Sequence, residues 1–368
     1  MKSLAIRWWW LTAAGTALAL AACDDEPRFP GHGLRSFEIR MSEDYAGEML
    51  GGASQHIEYP ATVWVDGKSH PALVSAAGAT SIQETKKSFN VEFQDGYAIN
   101  GSSDVRLATT IKDRSMLRSL IGYEVFRATG LEVPRAEPVF VYLNSLVMGL
   151  YIETEKINED FFVARGMRID RMFSSDGEAD FASDFGSRLA VCMKVEFGPD
   201  DLEPILEITR VQTIGDETEF EREIFRRIDR ESLVRYLTGA RLLNHWDGFN
   251  KNVYWYALAD DPVLRFAPWD LDNILVLGWN ADPEVWAKNH LFLRLGRLPS
   301  VAAEVDARVA ALLAGDASAA RLRARANEWA ARIADAYAAD PFLGGGRYDF
   351  DERLTDLGQE IDAWESRL

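Results

Sequence analysis

The sequence predicts an α+β protein of two lobes, strand-rich over residues 36–157 and mainly helical over 158–300, with a helical extension over 301–368. Three observations predict it. Segments of β-branched and aromatic residues crowd the first half, helical spacing dominates from residue 217 onward, and a hairpin pattern interrupts the helices at 253–266. A chain of 368 residues, 47% of them hydrophobic, is long and apolar enough to bury such a core.

Residues 1–22 are read as a signal. Lys2 and Arg7 flank the start of an apolar run, Trp8 to Ala22, that is shorter than the roughly 20 residues a membrane span needs. The pattern fits export, and Leu20-Ala21-Ala22-Cys23 reads as a bacterial lipobox with Cys23 acylated. The bland alternative is a plain secretory signal whose cysteine is incidental. On the lipobox reading, residues 23–35 tether the chain to a membrane of the bacterial cell envelope. Cys192 is then left alone as a buried apolar thiol.

The strand signals are Thr62-Val63-Trp64-Val65, Phe89-Asn90-Val91-Glu92-Phe93 and Val139-Phe140-Val141-Tyr142-Leu143. One helix interrupts them, with Asp113 or Ser115 as its cap and Gly130 as its stop. Leu117, Leu120, Ile121, Val125 and Ala128 form its apolar stripe, and Glu124 falls on the same face. A carboxylate there is costly unless something positive meets it. Residues 174–188 read as a polar loop. The stretch 217–246 is helical, with Ser232 as a cap and Leu233, Leu237, Ala240 and Leu243 on one face. It runs into His245-Trp246-Asp247. A hairpin follows, Val253 to Tyr256 and Val263 to Phe266 around Asp260-Asp261-Pro262, and delivers the chain to Trp269-Asp270-Leu271-Asp272. Ala302, Val305, Val309 and Leu312 or Leu313 mark a helix that breaks at Asp316-Ala317-Ser318, and the extension reads as packing.

The net charge of −18 argues against nucleic acid as a partner and suits divalent cations or basic protein segments. Two cysteines without a CxxC, and five histidines without an HExxH, exclude a zinc site of those types and a disulfide framework. The chemistry therefore rests on oxygen ligands. Moving a phosphoryl group requires neutralising phosphates, aligning an acceptor hydroxyl and accepting its proton. HWDGFNKN at 245–252 followed by the acidic turn supplies those groups. Asp247 would face the hydroxyl, Asn252 would hold a metal, and Asp270 would bridge metal and phosphates. Asp272 and Asn273 would support these ligands or hold a second metal. Other readings stay open: Asp247 as a cap on the hairpin, Asp270 and Asp272 as an Asx turn or structural calcium site, or paired carboxylates for hydrolysis of phosphoesters or glycans.

At these residues the chain resembles the CotH kinase family, envelope or secreted proteins with an atypical protein-kinase-like fold. The resemblance is carried by TKKSFNVEF at 85–93, the helix from Asp113 to Gly130, PVFVYLNSLVMGLYIETEKIN at 138–158, Asn244 to Asn252, and PWDLD at 268–272. It implies an ATP- and Mg²⁺-dependent (or Mn²⁺-dependent) protein kinase acting on protein hydroxyls. Lys87, or else Lys86, would reach the α- and β-phosphates, and Glu124 would pair with that lysine. Glu155 to Ile157 would connect the lobes and offer backbone groups to adenine. Asp247 would be the base, with Asn252 and Asp270 as metal ligands. Ala76-Ala77-Gly78-Ala79-Thr80-Ser81 lacks the arginine the family commonly shows before its phosphate loop, which favours a second reading: a kinase-like binding or scaffold lipoprotein. Trp246 stands where many protein kinases carry arginine, which implies no activation through a phosphate bound there.

Overall fold

Alternating apolar residues close the first half of the chain into a seven-stranded barrel. The computed structural model describes residues 30–51, 57–78, 84–110, 112–175, 177–278 and 282–368. The signal, Cys23, most of the tether and Ala79-Thr80-Ser81 lie outside the described residues. The barrel elements are β1 (Arg35–Arg40), α1 (Glu43–Leu50), β2 (Tyr59–Val65), β3 (Lys68–Ala77), β4 (Ser88–Phe93), β5 (Asp104–Ala108), α2 (Arg118–Ala128), β6 (Ala136–Leu143) and β7 (Leu146–Glu155). Strand order is β1-β2-β3-β4-β5-β7-β6, and a parallel β6–β1 pair closes the ring. Phe37, Ile39, Val63, Val74, Phe89, Val91, Val105, Leu107, Val139 and Val141 share one buried barrel core. The period of two puts their neighbours on the outer face, and closure leaves no free sheet edge. The three expected strands fall within β2, β4 and β6.

β6 and β7 are apolar on both faces, because Phe140, Leu150 and Ile152 point outward into a second and larger core with α2. That core belongs to the rest of the chain: α3 (Glu159–Val163), β8 (Ile169–Ser175), α4 (Phe185–Cys192), β9 (Met193–Phe197), α5 (Glu203–Gln212), α6 (Glu217–Ile224), α7 (Arg230–Leu242), β10 (Val253–Leu258), β11 (Asp261–Pro268), a 3-10 turn (Leu271–Asn273), α8 (His290–Arg297), α9 (Pro299–Leu313), α10 (Ala319–Ala339) and α11 (Phe350–Glu365). The hairpin β10–β11 extends into a four-stranded sheet, β11-β10-β8-β9. β8 and β9 went unread because short strands flanking a polar loop carry little periodicity.

Local corrections have physical causes. The 174–188 loop ends in a helix, since Phe185 and Leu189 bury one face of α4. Asp229, not Ser232, caps α7, accepting from the Ser232 backbone N–H at 2.7 Å. The Ser232 hydroxyl instead accepts from the Phe266 N–H at 3.0 Å and ties α7 to β11. Asp113 acts from upstream of α2, accepting from the backbone of Ser115 at 3.0 Å and of Arg118 at 2.8 Å. Gly130 ends the segment at φ 88°, a conformation that favours glycine. Ala128 is exposed, not part of the buried stripe. Cys192 is buried in the larger core. No helix of the described residues is long and apolar enough to cross a membrane.

Candidate functional site

Hairpin register brings the loop after α7 to the acidic turn. Val253 pairs with Pro268, so Asn252 and Trp269 are neighbours, and the Trp269 N–H donates to the Asn252 carbonyl at 3.1 Å. Leu275 N–H donates to the Leu243 carbonyl at 2.7 Å, and the Asn244 amide reaches the Val276 carbonyl at 3.4 Å. These ties pin the loop to the turn at both ends. Between them the Asp247 carboxylate lies 3.5 Å from the Asn273 amide nitrogen, 3.5 Å from His245 Nδ1 and 3.7 Å from Lys251 Nζ. Asp247 is buried, and its Oδ1 has no hydrogen-bond partner among the described residues.

The backbone here is strained. Asp270 sits at φ 56°, ψ 61°, Asn252 at φ 59° and Asn244 at φ 49°, where non-glycine residues rarely go. Packing holds them. The buried Asn289 amide donates to the carbonyls of Phe249 and Ala179, each at 2.8 Å, while its oxygen caps α8. Tyr236 donates to the Gly248 carbonyl.

Helix α2 presses the turn from the barrel side. A Cβ on Gly122 would meet Leu271 and Ile274 side chains at 2.9 Å, so only glycine permits this approach. Arg118 donates to the Ile274 carbonyl at 2.6 Å and pairs with Glu360 of α11. Tyr123 is buried and shares a backbone hydrogen bond with Asp270.

Charges of one sign accumulate in this corner. Asp270 keeps accessible surface, but the walls around it withdraw it from bulk water and push its carboxyl up; Arg106 opposes this and Asp247 adds to it. Half-buried Asp272 is pushed well above the usual carboxylate range by burial, then by Asp270, Asp113 and Asp247. Burial holds His245 below its ordinary value, so this imidazole is neutral at pH 7. The cations acting on the corner are Arg106, Lys112 and Lys251. Arg106 stands on the outer face of β5, in a polar row formed by Ser75, Asn90, Arg106 and Thr154 across four strands. The donor set, carboxylates and an amide, suits a hard cation. Among the described residues no three histidine, cysteine, aspartate or glutamate side chains form a ready-made metal cage.

The structure thus brings together Asp247, Asn252, Asp270, Asp272 and Asn273. Glu124, Lys86 and Glu155 are engaged with other partners. Glu124 does not meet a lysine: its carboxylate takes Arg325 at 2.5 Å and the Trp329 indole N–H at 3.0 Å, both from α10. Lys86 is buried and donates to Asp340 Oδ2 and the Leu150 carbonyl, each at 2.6 Å, so it is committed to the C-terminal segment and cannot also hold phosphates. Burial pushes its ammonium down to about 8, against the pull of Asp340. Lys87 is buried, and its carbonyl accepts from the Tyr151 hydroxyl at 2.8 Å. Glu155 spends its backbone N–H on the Arg135 carbonyl at 3.0 Å and its carboxylate on Arg165, which closes that N–H to adenine. Ile157 is buried with Phe161, Phe162 and Tyr256.

The residues beyond 300 pack, as expected, but also supply Arg325 and Asp340. Those partners were invisible in sequence because 201 and 254 positions separate them from Glu124 and Lys86. Arg106 carried a readable signal, the outward phase of the alternation in DVRLA.

Comparison with known proteins agrees with the earlier resemblance. Over 222 residues the chain is 24% identical to the inner spore coat protein H of Bacillus subtilis, a match spanning 58% of this chain and 61% of that protein's length. Among solved structures, the Helicobacter pylori proinflammatory kinase CtkA aligns over 81% of this chain and 90% of its own, at 10% identity and TM-score 0.29. The Shewanella oneidensis HipA–HipB–operator complex contributes a chain that aligns over 89% of this one and 71% of its own, at 11% identity and TM-score 0.37. Residues 74–363 match the family described as CotH kinase protein, and the chain belongs to that family.

Proposed function

We propose that the chain is an ATP- and Mg²⁺-dependent phosphotransferase of two kinase-like lobes, acting on protein hydroxyls. The observation that supports it best is the meeting of Asp247, Asn252 and Asp270 at one corner, opposite Arg106. Mg²⁺, or Mn²⁺ in its place, supplies charge neutralisation when bound, and Asn252, Asp270 and Asp272 would hold it. Asp247 orients the acceptor hydroxyl and takes its proton. Its buried Oδ1 accepts no hydrogen bond among the described residues. Arg106, with Lys112, takes the phosphate-facing role that Lys86 cannot fill, beside any contribution from Lys87. We further propose export and lipid anchoring at Cys23, which puts the reaction in the bacterial envelope.

A second reading is a kinase-like scaffold. The capture of Glu124 and Lys86 by the C-terminal segment favours it, since neither can form the usual lysine–glutamate pair. Incubation with labelled ATP and basic protein substrates separates the two. Incorporation by the wild type and its loss in Asp247→Ala and Asp270→Asn support phosphotransfer. Equal labelling by all three overturns it. Thermal denaturation adds a binding readout, because a ligand at 100 times its Kd stabilises the folded state by about 2.7 kcal/mol. A shift with Mg²⁺ and ATP but no transfer favours the scaffold.

A further inference from the structure

A second concavity, of about 750 Å³, opens between α2, the start of β6 and α10, a volume within the range of ligand sites. Five arginines line it, Arg35, Arg127, Arg135, Arg325 and Arg332, against two glutamates, Glu124 and Glu137. This local excess of positive charge runs against the −18 of the whole chain. Three of the arginines are matched: Arg35 to Glu153 at 2.9 Å, Arg325 to Glu124 at 2.5 Å and Arg332 to Glu137 at 2.8 Å. Arg127 and Arg135 are exposed, and their guanidiniums enter no ion pair among the described residues. Arg127 donates to the Pro134 carbonyl at 3.2 Å, one residue before Arg135, and both residues line the concavity. The buried carboxylate of Glu155 is taken by the Arg165 guanidinium and by the Arg135 backbone N–H at 3.0 Å. Two uncompensated guanidiniums lining one concavity favour a group bearing two negative charges over one bearing a single charge. A phosphoryl group carries about −1.5 to −2 at neutral pH and offers three acceptor oxygens that match arginine forks. A single carboxylate carries half of that.

The concavity is larger than a phosphate ion needs, and the rest of its lining is suited to chain. Trp329 presents a half-buried ring with Arg332 5.0 Å from its centroid. We propose that this concavity binds a phosphorylated protein segment, with Arg127 and Arg135 gripping the phosphoryl group and Trp329 supporting the flanking residues. The inference stands apart from the catalytic reading. It does touch that site, since Tyr123 lines the concavity and also bonds the Asp270 backbone.

The test is calorimetry on the purified full chain with a capped peptide carrying one phosphoserine between glycine and leucine flanks. Binding should weaken about tenfold or more when the phosphate is removed from the peptide, and similarly in Arg127→Glu/Arg135→Glu. Both side chains are exposed, so the double variant should melt with the wild type; Arg127→Gln/Arg135→Gln, which adds no charge, should weaken binding in the same direction. Asp270→Asn should bind the peptide as the wild type does. The proposal is overturned by absent binding, by equal binding of the dephosphorylated peptide or of free phosphate, or by variants that bind unchanged.

Discussion

Helix α2 separates two charged regions that are treated in opposite ways. In the arginine-lined concavity, three of five guanidiniums are matched by carboxylates within 3 Å. In the acidic corner, Asp247 raises the cost of ionising Asp270, both raise that of Asp272, and Asn244, Asn252 and Asp270 adopt left-handed backbone conformations. A folded chain tolerates such local conflict only where surrounding packing over-determines it. Here that packing is Gly122 against Leu271, Arg118 on Ile274 and Asn289 under the loop. The difference teaches that matched charge in this molecule positions helices, whereas unmatched charge marks places built to receive something.

The contrast can be broken at several points. The largest effect is expected from Asp247→Ala, which should lower phosphotransfer at saturating nucleotide by about 10²–10⁴-fold with little change in melting temperature. A proportionate loss of stability would mean the residue only caps the hairpin. Asp340→Ala should destabilise the fold by about 3–5 kcal/mol in urea titrations, since it strands Lys86 in the core and unties Leu150, Phe342 and Leu343. Adding Lys86→Met to it should recover part of that loss. Gly122→Ala should cost about 1–3 kcal/mol and weaken nucleotide binding as well, because the added methyl pushes the acidic turn away from α2.

A subtler effect concerns pH. Asp270 and Asp272 have carboxyls raised in the folded state above their unfolded values. The folded state therefore binds more protons over that interval, and stability falls as pH rises through it. His245, held below its ordinary value, works in the opposite direction, so the readout is a difference between chains: without metal, Asp272→Asn should gain more melting temperature over the wild type at pH 7 than at pH 5. Mg²⁺ should stabilise more at pH 7 than at pH 5, because protons compete for the same oxygens. The smallest effect is expected from Glu124→Gln. Its pair with Arg325 is partly exposed, so the loss should stay below about 1 kcal/mol, with nucleotide affinity unchanged. A marked loss of affinity would restore the lysine–glutamate pairing.

Much of the site was legible because its parts are close in sequence and their patterns are local. The hairpin signal at 253–266 predicts a register, and that register alone sets Asn252 beside the residue before Asp270. The partners of Glu124 and Lys86 were not legible. A carboxylate on the face of α2 does meet a cation, but local sequence does not say which one, and the cation is Arg325 of α10.

By itself the sequence determined the strand and helix phases, the acidic turn, the loop before the hairpin and membership of the CotH kinase protein family, since these depend on neighbouring residues and short motifs. Only the tertiary structure decided that seven strands close into a barrel, that Arg106 faces the carboxylates, and that the C-terminal helices hold Glu124 and Lys86. The physical reason is range: an ion pair takes whichever opposite charge folding delivers within a few ångströms, and periodicity carries no information about a partner some two hundred residues away.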